Sequence, residues 1–186
     1  MAHKKQSAFT LIDILFTLGL VAVLLNIALP AFDDLIKKQK ITSEVMKLRT
    51  TLQNTRSIAI TRHQKVTICP TLDGASCSKK WSDGYMAFVD NNSDRKLSAD
   101  EELLHQSKIK DDDIQLRWRA FGVRTSFQWH HTGITNHQNG TFEYCFKNEP
   151  ELSRALIISK AGRIRHSKDK NGNRIHENAR DEDISC

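Results

Sequence analysis

Ile14-Leu-Phe-Thr-Leu-Gly-Leu-Val-Ala-Val-Leu-Leu-Asn-Ile-Ala-Leu-Pro-Ala-Phe32 runs for 19 residues without a charge, enough for a helix to cross a hydrocarbon core. Directly after it the apolar residues change spacing, to Ile41, Val45, Leu48, Leu52, Thr55 and Ala59. Steps of three and four place these on one stripe of an amphipathic helix. Lys37, Lys38, Lys40, Lys47, Arg49 and Arg56 fall largely off that stripe, as a wet face requires. Together the two stretches predict one helix from Phe9 to about Arg62, lipid-facing in its first half and packed on a globular body in its second. Pro30 is compatible with this, because a freed backbone bond is tolerated in a membrane segment.

Working outward, Lys4 and Lys5 precede the apolar run. The positive-inside rule then keeps the N-terminus cytoplasmic and sends the rest of the chain outward. A cleaved secretory signal is the competing reading. It is disfavoured by the lack of an A-x-A site after the run, by the helical pattern that continues beyond it, and by Asp13 near its start. A carboxylate this close to lipid costs about 2.5–3.5 kcal/mol on insertion scales, so it calls for a partner.

Beyond His63 the pattern turns to short runs rich in β-branched and aromatic residues: 65–69, 84–89, 114–119, 126–130, 140–146 and 154–159. Turn pairs such as Asp83-Gly84, Asn139-Gly140 and Ala161-Gly162 separate them. Six or seven strands laid on one amphipathic helix predict an α+β domain. Cys69, Cys77, Cys145 and Cys186 all follow the membrane segment, where an oxidising compartment favours disulfides. Of the three possible pairings, the short loop favours Cys69–Cys77, which leaves Cys145–Cys186. No C-x-x-C spacing supports zinc.

The start of the chain resembles type IV pilins and pseudopilins, in the short basic leader of residues 1–8 followed by Phe9-Thr-Leu-Ile-Asp13. The resemblance implies that a prepilin peptidase cuts between Ala8 and Phe9 and methylates the new amine of Phe9. It also implies that Asp13 helps subunits assemble by pairing with a neighbour's N-terminal amine. The family usually has Gly and Glu where this chain has Ala8 and Asp13. Trp81-Ser-Asp-Gly-Tyr-Met-Ala-Phe-Val-Asp90, Asp100-Glu-Glu-Leu-Leu104, Thr141-Phe-Glu-Tyr-Cys145 and Ala155-Leu-Ile-Ile-Ser-Lys-Ala-Gly-Arg163 are similar to GspH/FimT-type minor pseudopilins. This implies a pilin-like fold, with a long N-terminal helix on antiparallel sheets. It also implies a minor subunit of a type IV pilus or of a type II secretion pseudopilus. The expected organisation is leader 1–8, transmembrane half-helix 9–32, amphipathic half-helix 33–62 and a β-rich periplasmic domain 63–186.

The chain has 28 Lys and Arg against 22 Asp and Glu, a formal +6. Residues 160–180 alone hold Lys160, Arg163, Arg165, Lys168, Lys170, Arg174 and Arg180 against Asp169 and Glu177, a local +5. The Gly- and Asn-rich part of this stretch reads as a flexible loop, closed if Cys186 is tied down. The reading set against it is a merely solvated charged loop. A cationic loop suits a polyanion, because each phosphate contact releases counterions and Arg or Lys can follow a backbone without reading bases. Alternation about Ile164 sends Arg163 and Arg165 to one side. The expectation is DNA binding in natural transformation, with Arg117, Arg119 and Arg124 as possible extensions of the patch. The alternative is a structural pseudopilin in type II secretion. The expected partners are DNA, other major and minor pilins or pseudopilins, prepilin peptidase and inner-membrane lipid.

Asp90, Asn92, Asp94 and Glu101 partly match a calcium loop, but Arg95 stands where that loop needs Gly, so a hydrogen-bonded turn is expected. His130, His131 and His137 lack a carboxylate or thiolate at ligand spacing. No cofactor is implied, and no nucleophile–base or paired-acid constellation points to an enzyme.

Overall fold

The computed structural model describes residues 11–120, 125–135 and 137–186. Helix α1 spans Leu11–Arg62, and the chain divides into two compact units, residues 1–39 and 40–186. In the first unit the large apolar side chains from Leu11 to Leu29 are exposed. Among the described residues α1 is the one helix long and apolar enough to cross a membrane. The polar residues within this stretch turn inward on the helix: Thr17 donates to the Ile14 carbonyl and Asn26 to that of Ala22, at 2.9 and 2.7 Å. Such local satisfaction is what a backbone surrounded by hydrocarbon requires.

In the second unit Ile41, Val45, Leu48, Leu52, Thr55 and Ala59 are all buried, which confirms the amphipathic stripe. They pack on two four-stranded antiparallel sheets. The strands are β1 (Val66–Pro70), β2 (Gly84–Val89), β3 (Leu103–Lys108), β4 (Ile114–Ala120), β5 (Phe127–Trp129), β6 (Gly140–Phe146), β7 (Arg154–Ile158) and β8 (Ile164–His166). The first sheet has the order β3-β2-β1-β5 and the second β4-β6-β7-β8. This is the α+β architecture expected, with eight strands where six or seven were read.

The two additional strands, β3 and β8, lack the usual signature. Leu103–Lys108 is largely exposed and polar, and Ile164–His166 has only three residues, two of them basic or titratable. Both are edge strands, held by register alone: β3 on β2 and β8 on β7, with Ile158 opposite Ile164, Ile157 opposite Arg165 and Leu156 opposite His166.

Strand alternation divides each sheet into two faces. Val66, Ile68, Tyr85, Ala87, Phe127 and Trp129 of the first sheet and Leu116, Phe142, Tyr144, Leu156 and Ile158 of the second share the core with α1. Aromatic rings knit the sheets together: Phe127 of the first meets Trp118 and Phe142 of the second edge-on, at 5.5 and 6.1 Å between ring centroids. Such pairs add about 0.5–1.5 kcal/mol each beyond area burial.

The outer face of the first sheet is covered by loops on either side of β2. Cys69 bonds to Cys77, and Met86 and Phe88 pack with Leu97. Asp90, fully buried, accepts from Thr67 Oγ1, Gln128 Nε2 and the Arg95 amide at 2.6, 2.7 and 3.2 Å. The rest of the calcium-like stretch is turned on its own backbone: Asn92 accepts from the Asp94 amide, Asp94 from Lys96, and Glu101 from Asn91 and Ser98.

Candidate nucleic-acid interface

The outer face of the second sheet carries the basic residues. On β4 the core-facing Leu116 and Trp118 alternate with Arg117 and Arg119, which places both arginines outward. Register then sets Arg119 in a row with Thr141, Ile157 and Arg165 across β4, β6, β7 and β8. Arg163, two residues before Arg165, receives the Ser159 amide on its carbonyl at 3.0 Å, and its own amide donates to Ser159 Oγ at 3.1 Å. Both arginines are exposed while Ile164 between them packs on the core, so they share one side as alternation predicts.

The turn that presents Arg163 is held from the helix. Gly162 has φ +79°, a left-handed conformation natural to glycine, and a Cβ there would lie 2.3 Å from the Gly133 carbonyl oxygen. Arg56 of α1 donates from Nε to that same carbonyl at 2.7 Å and from Nη2 to the Ala161 carbonyl at 3.1 Å. Its guanidinium also sits 5.7 Å from the Trp129 ring centroid. By its sequence pattern Arg56 belongs only to the wet face of the helix; nothing local reveals a partner 105 residues away.

The remaining cations divide by their neighbours. Lys160, Lys168, Arg174 and Arg180 are exposed, and among the described residues their side chains form no ion pair. Lys170 pairs with Asp181. The hydrogen bond from Lys170, and then its charge, hold the Asp181 carboxyl below its usual range, with a smaller contribution from Arg165. Arg117 and Arg119, expected as extensions of the patch, are engaged elsewhere. Arg119 bridges to the buried Glu143 at 2.7 Å and reaches the Ser185 carbonyl, and Arg117 donates to the Cys186 carbonyl at 3.2 Å. Burial pushes the Glu143 carboxyl up, and Arg119 and then Arg117 oppose it. Ala8, Phe9 and Arg124 lie outside the described residues. Asp13 lies in the first turn of α1.

Two expectations about this region change. The Gly- and Asn-rich stretch is hydrogen-bonded through most of its length. Glu177 accepts from the Lys170 and Asn171 amides, and Asp169 from those of Gly172 and Arg174. The charge excess is also smaller, because Asp181, Glu182 and Asp183, just past the segment read as basic, fold back onto it. Asp183 accepts from Asn173 Nδ2 at 2.8 Å and is paired through its backbone with Glu177 in an isolated antiparallel β-bridge. Residues 160–186 thus hold seven cations against five carboxylates, a net of +2. Cys145–Cys186 secures this arm, and Ile184 is buried against Cys145 and Ala155.

Known proteins share this architecture. A family model described as "Type II transport protein GspH" matches residues 44–162. Crystal structures of the type IV minor pilin FimU of Pseudomonas aeruginosa share the fold. One aligns with a TM-score of 0.56 and 20% identity over 70% of this chain and 90% of that one. The other, in a second crystal form, gives 0.52 and 21% over 68% and 92%. No curated protein matches in sequence. With a long N-terminal helix packed on two antiparallel sheets and a family match over well more than half of its length, the chain belongs to the GspH/FimT-type family of minor pilins and pseudopilins.

Proposed function

We propose that the protein is a minor type IV pilin that binds DNA without sequence preference and serves DNA uptake in natural transformation. The observation that carries this reading is the pair Arg163 and Arg165. Two guanidiniums stand exposed on one side of an edge strand, with no ion-pair partner among the described residues, on a turn braced by Arg56. Arginine is the better fork for phosphate. Lys160, Lys168, Arg174 and Arg180 supply further contacts along a backbone, and Lys170 joins when phosphate displaces Asp181. Arg117 and Arg119 act mainly by holding the arm that carries the loop.

In the same reading Phe9–Phe32 anchors the protein in the inner membrane, with the globular unit in the periplasm. Prepilin peptidase cuts after Ala8 and methylates Phe9, and Asp13 pairs with the amine of a neighbouring pilin in the filament. The test is fluorescence anisotropy of labelled DNA with the full chain in micelles of an uncharged detergent. Affinity should be similar for unrelated sequences and fall steeply with salt. Absence of binding in dilute buffer would overturn the reading.

The family description favours a second reading, a structural pseudopilin of type II secretion. A deletion strain that loses transformation and keeps secretion supports the first; the opposite pattern supports the second.

A further inference from the structure

A recess of about 200 Å³ lies between α1 and the free edge of the second sheet, outside the arginine face. Arg154, His166, Ser167 and His176 line it, with Thr42 and the apolar Val45 and Met46 on the helix side. A water occupies about 30 Å³, so a small anion fits with part of its hydration.

The polar groups here are donors. Arg154 is half-buried and gives Nη1 to the carbonyls of Glu151 and Ser153, both at 2.8 Å. Among the described residues it has no carboxylate partner. A half-buried cation without an anion is costly, which points to an anion from outside. Behind His166, Arg49 lies 2.6 Å from Nε2 through Nη1. A guanidinium cannot accept, so this ring nitrogen carries the lone pair and Nδ1 carries the proton. Ser167 Oγ accepts the Ala155 amide at 2.8 Å and lies 3.0 Å from His176 Nδ1. The His176 ring is further tied to the Ser167 backbone, which holds it at the rim of the recess.

No carboxylate lines the recess. Asp169 and Glu177 lie within electrostatic reach of His176, but both accept backbone amides of the loop. Burial, then Arg49 for His166 and Arg154 for His176, holds both imidazoles below their usual range, which favours their neutral forms.

We propose that this recess binds an oxyanion of the phosphate class, with Arg154 as the charged fork, the His166 imidazole as a neutral donor and His176 as a lining ring that reports occupancy. The site is independent of whether the arginine face binds DNA.

The test is nuclear magnetic resonance of the histidine rings, using the full chain in uncharged-detergent micelles titrated with inorganic phosphate. The expected result is a saturable shift of the His166 and His176 signals, with affinity reduced at least tenfold in Arg154→Gln. Arg154→Lys, which keeps the charge, recovers most of it. Arg163→Gln with Arg165→Gln leaves it unchanged. No saturable shift, or an equal one in Arg154→Gln, overturns the proposal.

Competition by short oligonucleotides identifies the source. Displacement only by a strand with a terminal phosphate assigns a monoester, and displacement by either strand assigns a backbone phosphodiester. Displacement by neither assigns the free ion. Each of these upholds the phosphate class.

Discussion

The outer faces of the two sheets meet the same difficulty in different ways. Each would otherwise leave a pleated surface open, and each is covered by a segment anchored through a disulfide, Cys69–Cys77 on the first and Cys145–Cys186 on the second. Over the first sheet the cover is knit inward: Asp90 draws Thr67, Gln128 and Arg95 into one buried cluster, and Arg95 reaches on to Gln138 at 2.9 Å. Over the second, the carboxylates and amides are used to shape the loop while most of the cations stay in water. A charge that could have been internally compensated and is left exposed on a braced strand is the difference that suggests a ligand.

The largest expected effect concerns the two staples. Removing the longer one with Cys145→Ser and Cys186→Ser should lower stability by about 2–4 kcal/mol, read by denaturant unfolding of the globular unit. Cys69→Ser with Cys77→Ser should cost about 1.5 kcal/mol less, because its sequence separation is 8 against 41 and the constraint grows with the logarithm of loop length. Equal losses would mean that local packing, not chain entropy, sets their worth.

Next comes Arg163→Gln with Arg165→Gln, expected to weaken DNA binding about a hundredfold, at about tenfold for each charge-assisted contact. Melting should hardly change, because both side chains are exposed. The matching change on the other sheet, Asp90→Ala, should behave oppositely. It should cost about 1–3 kcal/mol by stranding buried donors and leave the DNA affinity of the folded protein intact.

Asp181→Asn is smaller. It frees Lys170 and relieves Arg165 of a nearby negative charge, so DNA should bind a few times more tightly, while stability moves by less than about 0.5 kcal/mol. A drop in affinity would show that the loop's shape matters more than its charge.

The smallest effect is with pH. His105 on β3 of the first sheet, His166 on β8 of the second and His176 in the loop beyond it are held by burial below their usual range. The unfolded chain therefore takes up protons first, and stability should decline as pH falls through about 6.5. His166→Gln and His176→Gln should each flatten that slope in a melting series.

The helix and the core were legible because periodicity reports burial directly. The stripe from Ile41 to Ala59 faces the core as read, and the β-branched and aromatic run at 140–146 forms a buried strand. Strand β8 was not legible: three residues with two of them polar carry no periodic signal, and only pairing to β7 orders them. The outward side of Arg163 and Arg165 was legible from alternation alone. What engages Arg117 and Arg119 was not, since Glu143 reads as an ordinary wet residue until the arm is folded over it. The Asp181–Asp183 run was visible but lay just past the stretch whose charge was counted, and chain distance concealed that it folds back.

Arg56 has a mechanical meaning. Its two hydrogen bonds fasten the Gly133 and Ala161 carbonyls to the last turns of the helix, and Gly162 leaves no slack between them. A lengthwise tug on that end of the helix would be passed to the adjoining hairpin, carrying Arg163 and Arg165 along with it.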